Sequence, residues 1–537
     1  MKPRYNFSLL VAVFISATLN ATEQTITVSE EPLQSLGTIV LTEIAATERF
    51  QETPTFREFL PIPHDLPVNP SELLFVSALL EESAQRVATT SPLPTRSFQA
   101  LDDSLTTIPP DTMGAVGVNH LMTTLNDRIR IQTKTGITLL TMSTSQFWAR
   151  QAFDPRITYD PFNNRWIFTS LANGGSASSL ILIAVSQTSD PTAGWNKFAL
   201  RADSSSATWA DFPSLGFNGK WVVVQTNMFS VSTGAFIGSH IYVFNKASLY
   251  NNTFSSVRFF NLTGFGATQA PANTYDNVNP TLYLLQNWNG NFGNAGYLRL
   301  YAINGAIGAE TLSALGFIAI TSPWASFASA INGGFAPQLN STRRIDNGDS
   351  RILSILFRNG SLWAAQTVFL PAAAPTHAGI QWFQISPTGA IQQTGRIVDP
   401  FANLTMGTFF AYPSIAVNNA NDAVIGYSFF SPLIYATSGY SFRSHTDPAN
   451  IFRATTILRN GLDIYTKDFG SGTVRWGDYS NTMVDPNGND FWTIQESADL
   501  RTANGTTRWV TWWGLISAPP LSAPLDIPLG PLSPDDN

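Results

Sequence analysis

The chain has 537 residues, a formal net charge of −7, only 12% charged residues and no cysteine. That balance argues against a nucleic-acid partner, and the missing thiols exclude disulfides, cysteine nucleophiles, cysteine metal sites and a lipid anchor on cysteine. Stability has to come from burial.

Residues 1–21 read as an export signal, with Lys2 and Arg4 ahead of the apolar run Leu9 to Ile15 and small residues near Ala17 and Ala21. The run is too short to span a membrane and no later segment is long enough, so the expected location is secreted, extracellular or periplasmic. Acidic composition changes near residue 95, since ten glutamates precede it and only Glu310 and Glu496 follow. Residues 22–95 are therefore expected to form an N-terminal arm. Asn69 as cap, Pro70 at the first position and Glu72 in the first turn predict a helix near 70–88 that docks on the body.

From 105 to 516 the sequence consists of short strands and turns. Trp209-Ala210-Asp211-Phe212 and Trp476-Gly477-Asp478-Tyr479 repeat one pattern, each followed by an apolar strand, a turn at Asn218-Gly219 or Asp485–Gly488, and a second strand carrying tryptophan. Repeating hairpins of this kind specify an all-β, seven-bladed β-propeller, with six or eight blades left open. Inner strands are expected near Asp111, Asp154, Asp211, Tyr275, Ile345, Tyr412 and Asp478. Arg508 to Trp513 is the last strong strand, placed to close the ring on early strands. Residues 517–537 form a Pro-rich tail.

Pro109 to His120 resembles the opening of a family of exported bacterial β-propeller proteins. The likeness continues through Asp154, Tyr159-Asp160-Pro161 and Arg165-Trp166, then Ala184 to Thr192 with Trp195, then Asp211-Phe212-Pro213 with Leu215-Gly216, and Asn227. It is specific to about residue 250 and looser beyond. The resemblance implies the propeller and its export; the family has no established common activity. Some members carry adhesion or sorting modules, where this chain has the tail after Ile516.

Trp166, Trp221, Trp363 and Trp492 lie in apolar strands and are expected in the core, where burying about 150–250 Å² is worth roughly 4–6 kcal/mol as an upper bound. Trp209 and Trp476 precede inner strands and are candidates for a propeller face, where an indole stacks on a sugar. Asp111, Asp154, Asp211 and Asp478 begin inner strands and so face the channel mouth, where convergent carboxylates raise one another's pKa, bind a cation or serve as acid and base on a glycan. A structural role, accepting backbone N–H groups between blades, competes with that chemistry. Asp485, Asn487, Asn489 and Glu496 follow the first, third, fifth and twelfth positions of a calcium loop, but Asp490 stands where glycine is needed and the strand from Phe491 would carry Glu496 away. Calcium is the one cofactor suggested, and a polar turn is the ordinary alternative. The five histidines are scattered, with no second zinc ligand at helical or knuckle spacing, and no nucleophile elbow precedes a helix. The functional expectation is a binding or adhesion module holding a glycan or protein ligand near the channel. The alternatives are a glycan-active hydrolase or lyase using Asp211 and Asp478, and a structural surface protein. Oligomeric state is not legible.

Overall fold

The computed structural model describes residues 24–44, 55–58, 60–76, 89–253 and 256–518. The export signal, the distal half of the expected helix (77–88) and the tail from 519 lie outside the described residues.

Alternation of side chains across each strand explains the assembly. In Leu180–Ser186, Ile181, Ile183 and Val185 pack toward Phe217, Val222 and Val224, whereas Leu182 and Ala184 pack toward Ile129, Ile131 and Trp166. A strand with apolar residues on both faces has to sit between two other sheets. Most strands of the body are of this type, so the chain stacks sheets face to face. The result is an all-β propeller.

Among the described residues, strand pairing forms seven antiparallel units, which we call blades 1 to 7. Their inner strands are Met113–Val116, Ala152–Asp160, Thr208–Phe217, Ala270–Pro271, Ile352–Arg358, Phe409–Val417 and Asn481–Val484. Each inner strand touches the next, and the last touches the first, which closes the ring. Arg96–Asp102 pairs antiparallel with Arg508–Ile516, so a strand from before the first blade completes blade 7 as the sequence suggests. Tyr275 and Ile345 do not begin inner strands. Tyr275 follows a short segment, Asn273–Thr274, that bonds in parallel to blades 3 and 5, and Ile345 ends an inserted hairpin of Ala336–Gln338 with Ser341–Ile345.

The described residues between 24 and 76 dock through strands, and Leu73–Val76 is extended where the sequence predicts a helix. Thr25–Pro32 adds to the outer edge of blade 3, Gln34–Val40 to blade 2, and Leu73–Val76 runs parallel to the outer strand of blade 4. Asn69 does cap a turn, accepting the Ser71 N–H at 3.2 Å with Pro70 next, but Pro70–Glu72 is one 3-10 turn and the chain then extends. The open edge of blade 4 supplies backbone partners that outweigh helix propensity, and covering outer edges removes unpaired strand groups. No helix among the described residues is long and apolar enough to cross a membrane.

Candidate functional site

The inner strands begin with a recurring kink. Asp111, Asp154, Phe212, Thr268 and Tyr412 all have left-handed φ between 51° and 58°. Pairing slips by a residue at Phe153/Arg156, Asp211/Ser214 and Ala411/Ser414. Such a conformation costs of order 1–3 kcal/mol and persists only where neighbours hold it. At four of these residues, and at Asp478 in blade 7, a side chain of another blade or inter-blade loop accepts the backbone N–H. Asn126 accepts from Asp154 (2.8 Å), Asp154 from Phe212 (3.0 Å), Asn227 from Thr268 (2.8 Å), Thr367 from Tyr412 (3.2 Å) and Asp111 from Asp478 (3.0 Å). Asp111 and Asp154 thus stitch blades together, one oxygen each committed to backbone.

Asp478 is committed differently. Its Oδ1 takes Arg475 at 2.6 Å, and the same buried guanidinium reaches Asp346 at 3.1 Å. Asp211 keeps some exposed surface, and its carboxylate has no hydrogen-bond partner among the described residues. Asp211 and Asp478 therefore share a neighbourhood but not a role.

Four arginines, Arg475 among them, gather around these acids. Arg156 donates to the Pro213 carbonyl at 2.7 Å and lies 3.4 Å from the Tyr479 ring centroid; Arg351 grips Asp349 through two bonds of 2.7 and 2.8 Å. Arg57 comes from the N-terminal segment and sits 3.4 Å over Phe153, while its own carbonyl accepts from Arg475 at 3.3 Å. His64 of that segment lies 3.4 Å from Asp349. Leu60 and Ile62 pack with Trp209 and Phe229. The segment thereby lies over this end of the channel, where the space bounded by Phe212, Asp349, Arg351, Tyr412 and Asp478 is about 10 Å³, room for roughly one water molecule.

Neither candidate tryptophan is an open stacking platform. Trp476 is 1% exposed, donates to Ser428 Oγ at 3.0 Å and packs on Phe430 and Tyr465. Trp209 lies against Phe229 beneath the N-terminal segment. Trp166, Trp221, Trp363 and Trp492 are buried, as their apolar strands require.

Burial pushes Asp111 and Asp211 well above the usual carboxylate range, Asp478 and Asp154 adding repulsion at Asp111 and Asp154 adding it at Asp211. Asp154 is also raised by burial, against the pull of Arg57, and Glu496 is well up through burial and the nearby Asp111. Asp349 goes the other way: burial would raise it, but Arg351 and His64 hold it low. Raised acids keep protons in the folded state that the unfolded chain releases above about pH 4, so their contribution to stability falls as pH rises from there. The melting temperature is therefore expected to be higher near pH 5 than at pH 8. Asp211→Asn should raise it at pH 8 and flatten that slope, and a destabilised Asp211→Asn at pH 8 would contradict the assignment. Below about pH 4 the lowered acids, Asp349, Asp447 and Asp499, reverse the trend.

The calcium-loop count does not assemble. Asp485 Oδ2 takes Lys134 at 2.7 Å and Trp492 Nε1 at 3.0 Å, while Oδ1 accepts the Asn487 N–H at 3.0 Å. Asn487 and Asn489 lie in the same polar turn, the Asn487 oxygen accepting the Asn489 N–H at 2.8 Å. Glu496 lies five residues into the strand Phe491–Asp499, beside Thr112, because an extended strand rises about 3.3 Å per residue. Among the described residues no cluster of three or more His, Asp or Glu could hold a metal ion.

At the opposite end of the channel the inner strands finish around an open cavity of about 320 Å³. Asn273, Tyr275, Arg358, Asn419, Asn487 and Phe162 are among its walls. Sequence reasoning misses this end because its walls are turn residues from separate hairpins, whose convergence no spacing in the chain encodes. It also missed the arginines, although Arg156, Arg351 and Arg475 each stand within three residues of an acidic residue at a strand start.

No family model matches the chain, and no curated protein matches it. Among solved structures, the α-L-arabinanase of Penicillium chrysogenum is 11% identical with a TM-score of 0.32, covering 56% of this chain and 92% of its own. A hypothetical selenium-binding protein from Sulfolobus tokodaii is 10% identical with a TM-score of 0.38, covering 68% of this chain and 80% of its own. The endosialidase of phage phi92 is 8% identical with a TM-score of 0.35, covering 67% of each chain. Likeness this distant transfers no ligand and no reaction, and the propeller stands on its own strand pairing.

Proposed function

We propose that the protein is an exported propeller that binds a glycan in the cavity at the open channel mouth. The carrying observation is the open cavity of about 320 Å³ where the inner strands finish; the space bounded by Phe212, Asp349, Arg351 and Asp478 near the gathered carboxylates is about 10 Å³. The larger volume falls at the low end of the range of ligand pockets, about 300–1,000 Å³. Its side-chain amides and hydroxyls, from Asn273, Asn419, Asn487 and Thr158, suit sugar hydroxyls, and Phe162 at 40% exposure offers a ring. A closed ring presents these groups rigidly, which favours binding without reordering.

Glycan-array screening of the mature chain, followed by calorimetry on any hit, tests this reading. Phe162→Ala should weaken a bound glycan roughly three- to tenfold, the loss of one ring contact of about 0.5–1.5 kcal/mol, with no change in fold. A chain that retains no glycan, or retains one indifferent to Phe162 and to every other cavity residue, contradicts it.

A second reading has one observation in its favour. Asp111, Asp211 and Glu496 are held protonated beyond the usual range, as a general acid for glycoside cleavage must be. The overlying segment with Arg57 weighs against it, and turnover of a glycan that disappears in Asp211→Asn would overturn the binding-only reading.

A further inference from the structure

Five hairpins that close the cavity end of the ring share one architecture. In four of them the residue that ends the inner strand or immediately follows it is Asp or Asn, and its side-chain oxygen caps its own turn. Asp160 accepts from Phe162 (2.9 Å), Asn218 from Lys220 (2.9 Å), Asn418 from Ala420 (2.9 Å) and Asp485 from Asn487 (3.0 Å). Such Asx turns stabilise the loop locally. In blade 5 the same position is Arg358, paired with Ser361. The blade 5 turn needs no cap, because Asn359 and Gly360 both adopt positive φ, 50° and 74°, the two-residue geometry that matches strand twist by itself. The guanidinium is therefore free of turn duty.

What it does instead is line the cavity. Arg358 is 8% exposed, its Nε has no hydrogen-bond partner, and it donates to Asn419 Oδ1 and lies 5.4 Å from the Tyr275 ring centroid. Among the described residues no carboxylate forms an ion pair with it. The two acids of the neighbouring hairpins are already taken, Asp485 by Lys134 at 2.7 Å and Asp160 by Lys246 at 2.9 Å. A second orphan, Asn273 Oδ1, lies in the same wall. A buried cation without an anion is costly, and a planar guanidinium matches a carboxylate fork to fork.

We propose that the cavity recognises an acidic sugar, with Arg358 pairing the sugar carboxylate while the surrounding amides hold its hydroxyls. This rests on the glycan-binding reading above and specifies its ligand class. Neighbouring Asn419 orients the guanidinium from blade 6, and Tyr275 supplies a face beneath it.

Calorimetry on the full chain separates the two levels. The probes are a galacturonate disaccharide, the matching neutral galactose disaccharide and sodium sulfate. The acidic disaccharide should bind at least tenfold more tightly than the neutral one; Arg358→Met should abolish that preference, and Arg358→Lys, which keeps charge but not the fork, should restore only part of it. Melting temperature supplies a readout that a merely structural arginine would move the other way: without ligand, Arg358→Met should melt at or above the parent. Equal affinity for acidic and neutral sugars overturns the role of Arg358 and leaves the glycan cavity standing. Binding of neither sugar overturns both, as does binding of sulfate alone, which would mark an inorganic-anion site. A marked fall in melting temperature for Arg358→Met overturns the claim that this charge is uncompensated.

Discussion

Arg475→Met is expected to cost about 3–5 kcal/mol of unfolding free energy, because it removes a buried guanidinium from two half-buried acids at once. The guanidinium bridges Asp346 and Asp478 at 3.1 and 2.6 Å, and its own side chain is 1% exposed. Without it Asp478 faces Asp111, Asp154 and Asp211 with only the more distant Arg156 and Arg351 to offset it, in a site whose Coulomb interactions are poorly screened. Urea denaturation of Arg475→Met beside Arg501→Met gives the comparison. Arg501 pairs with Asp463 at 2.7 Å but is 46% exposed, so its loss should cost less than about 1 kcal/mol. Part of the Arg475→Met deficit should return on moving from pH 8 to pH 5, as the raised acids Asp111, Asp154 and Asp211 take up protons and repel Asp478 less. Equal losses in the two variants would mean that the cluster is wetter than its burial indicates.

A chain beginning at residue 104 should fail to fold as a monomer, whereas one beginning at residue 89 should fold. The difference between them is Arg96–Asp102, the outer strand of blade 7. That strand makes a closed ring from an open stack: Leu101 exchanges hydrogen bonds with Thr511 at 3.0 and 2.9 Å, and Phe98 meets Trp492 at 6.0 Å between centroids. Its removal leaves Arg508–Ile516 as a long, apolar, unpaired edge, a template for aggregation. Gel filtration and circular dichroism report the outcome. A soluble, monomeric chain from residue 104 would show that ring closure is dispensable. The chain from residue 89 lacks Arg57 and His64, so it also opens the carboxylate end, and glycan turnover by this chain alone would identify the overlying segment as an inhibitor of the second, hydrolytic reading.

The propeller was legible for local reasons. Ile181 to Val185 alternates between two sheets, Asn218-Gly219 and Asp485–Gly488 turn where side-chain caps predict, and Arg508 to Trp513 stops where an early strand has to meet it. Each of these depends on neighbours within a few residues or on a period of two. The helix expected from Asn69 and Pro70 failed for the complementary reason. Asn69 does cap a turn, but the open edge of blade 4, more than two hundred residues away in sequence, offers better partners to Leu73–Val76.

The candidate acids show the same division. That Asp111, Asp154, Asp211 and Asp478 sit together at one end of the channel followed from their place before repeated strands. Which of them is stitched to a backbone N–H, which is neutralised and which has no partner depended on Asn126, Arg475 and Arg57, brought in from other blades and from the N-terminal segment. Trp476 could not be told from a surface platform until Phe430 and Tyr465 closed over it. By itself the sequence determined an all-β repeat architecture, its core tryptophans and the gathering of acids, because strand period and turn chemistry act over short stretches of chain. The tertiary structure alone decided which end of the channel the N-terminal segment overlies, which charges are compensated and that Arg358 has no ion-pair partner among the described residues of the open cavity, because burial and charge pairing depend on distances through space that residue spacing does not encode.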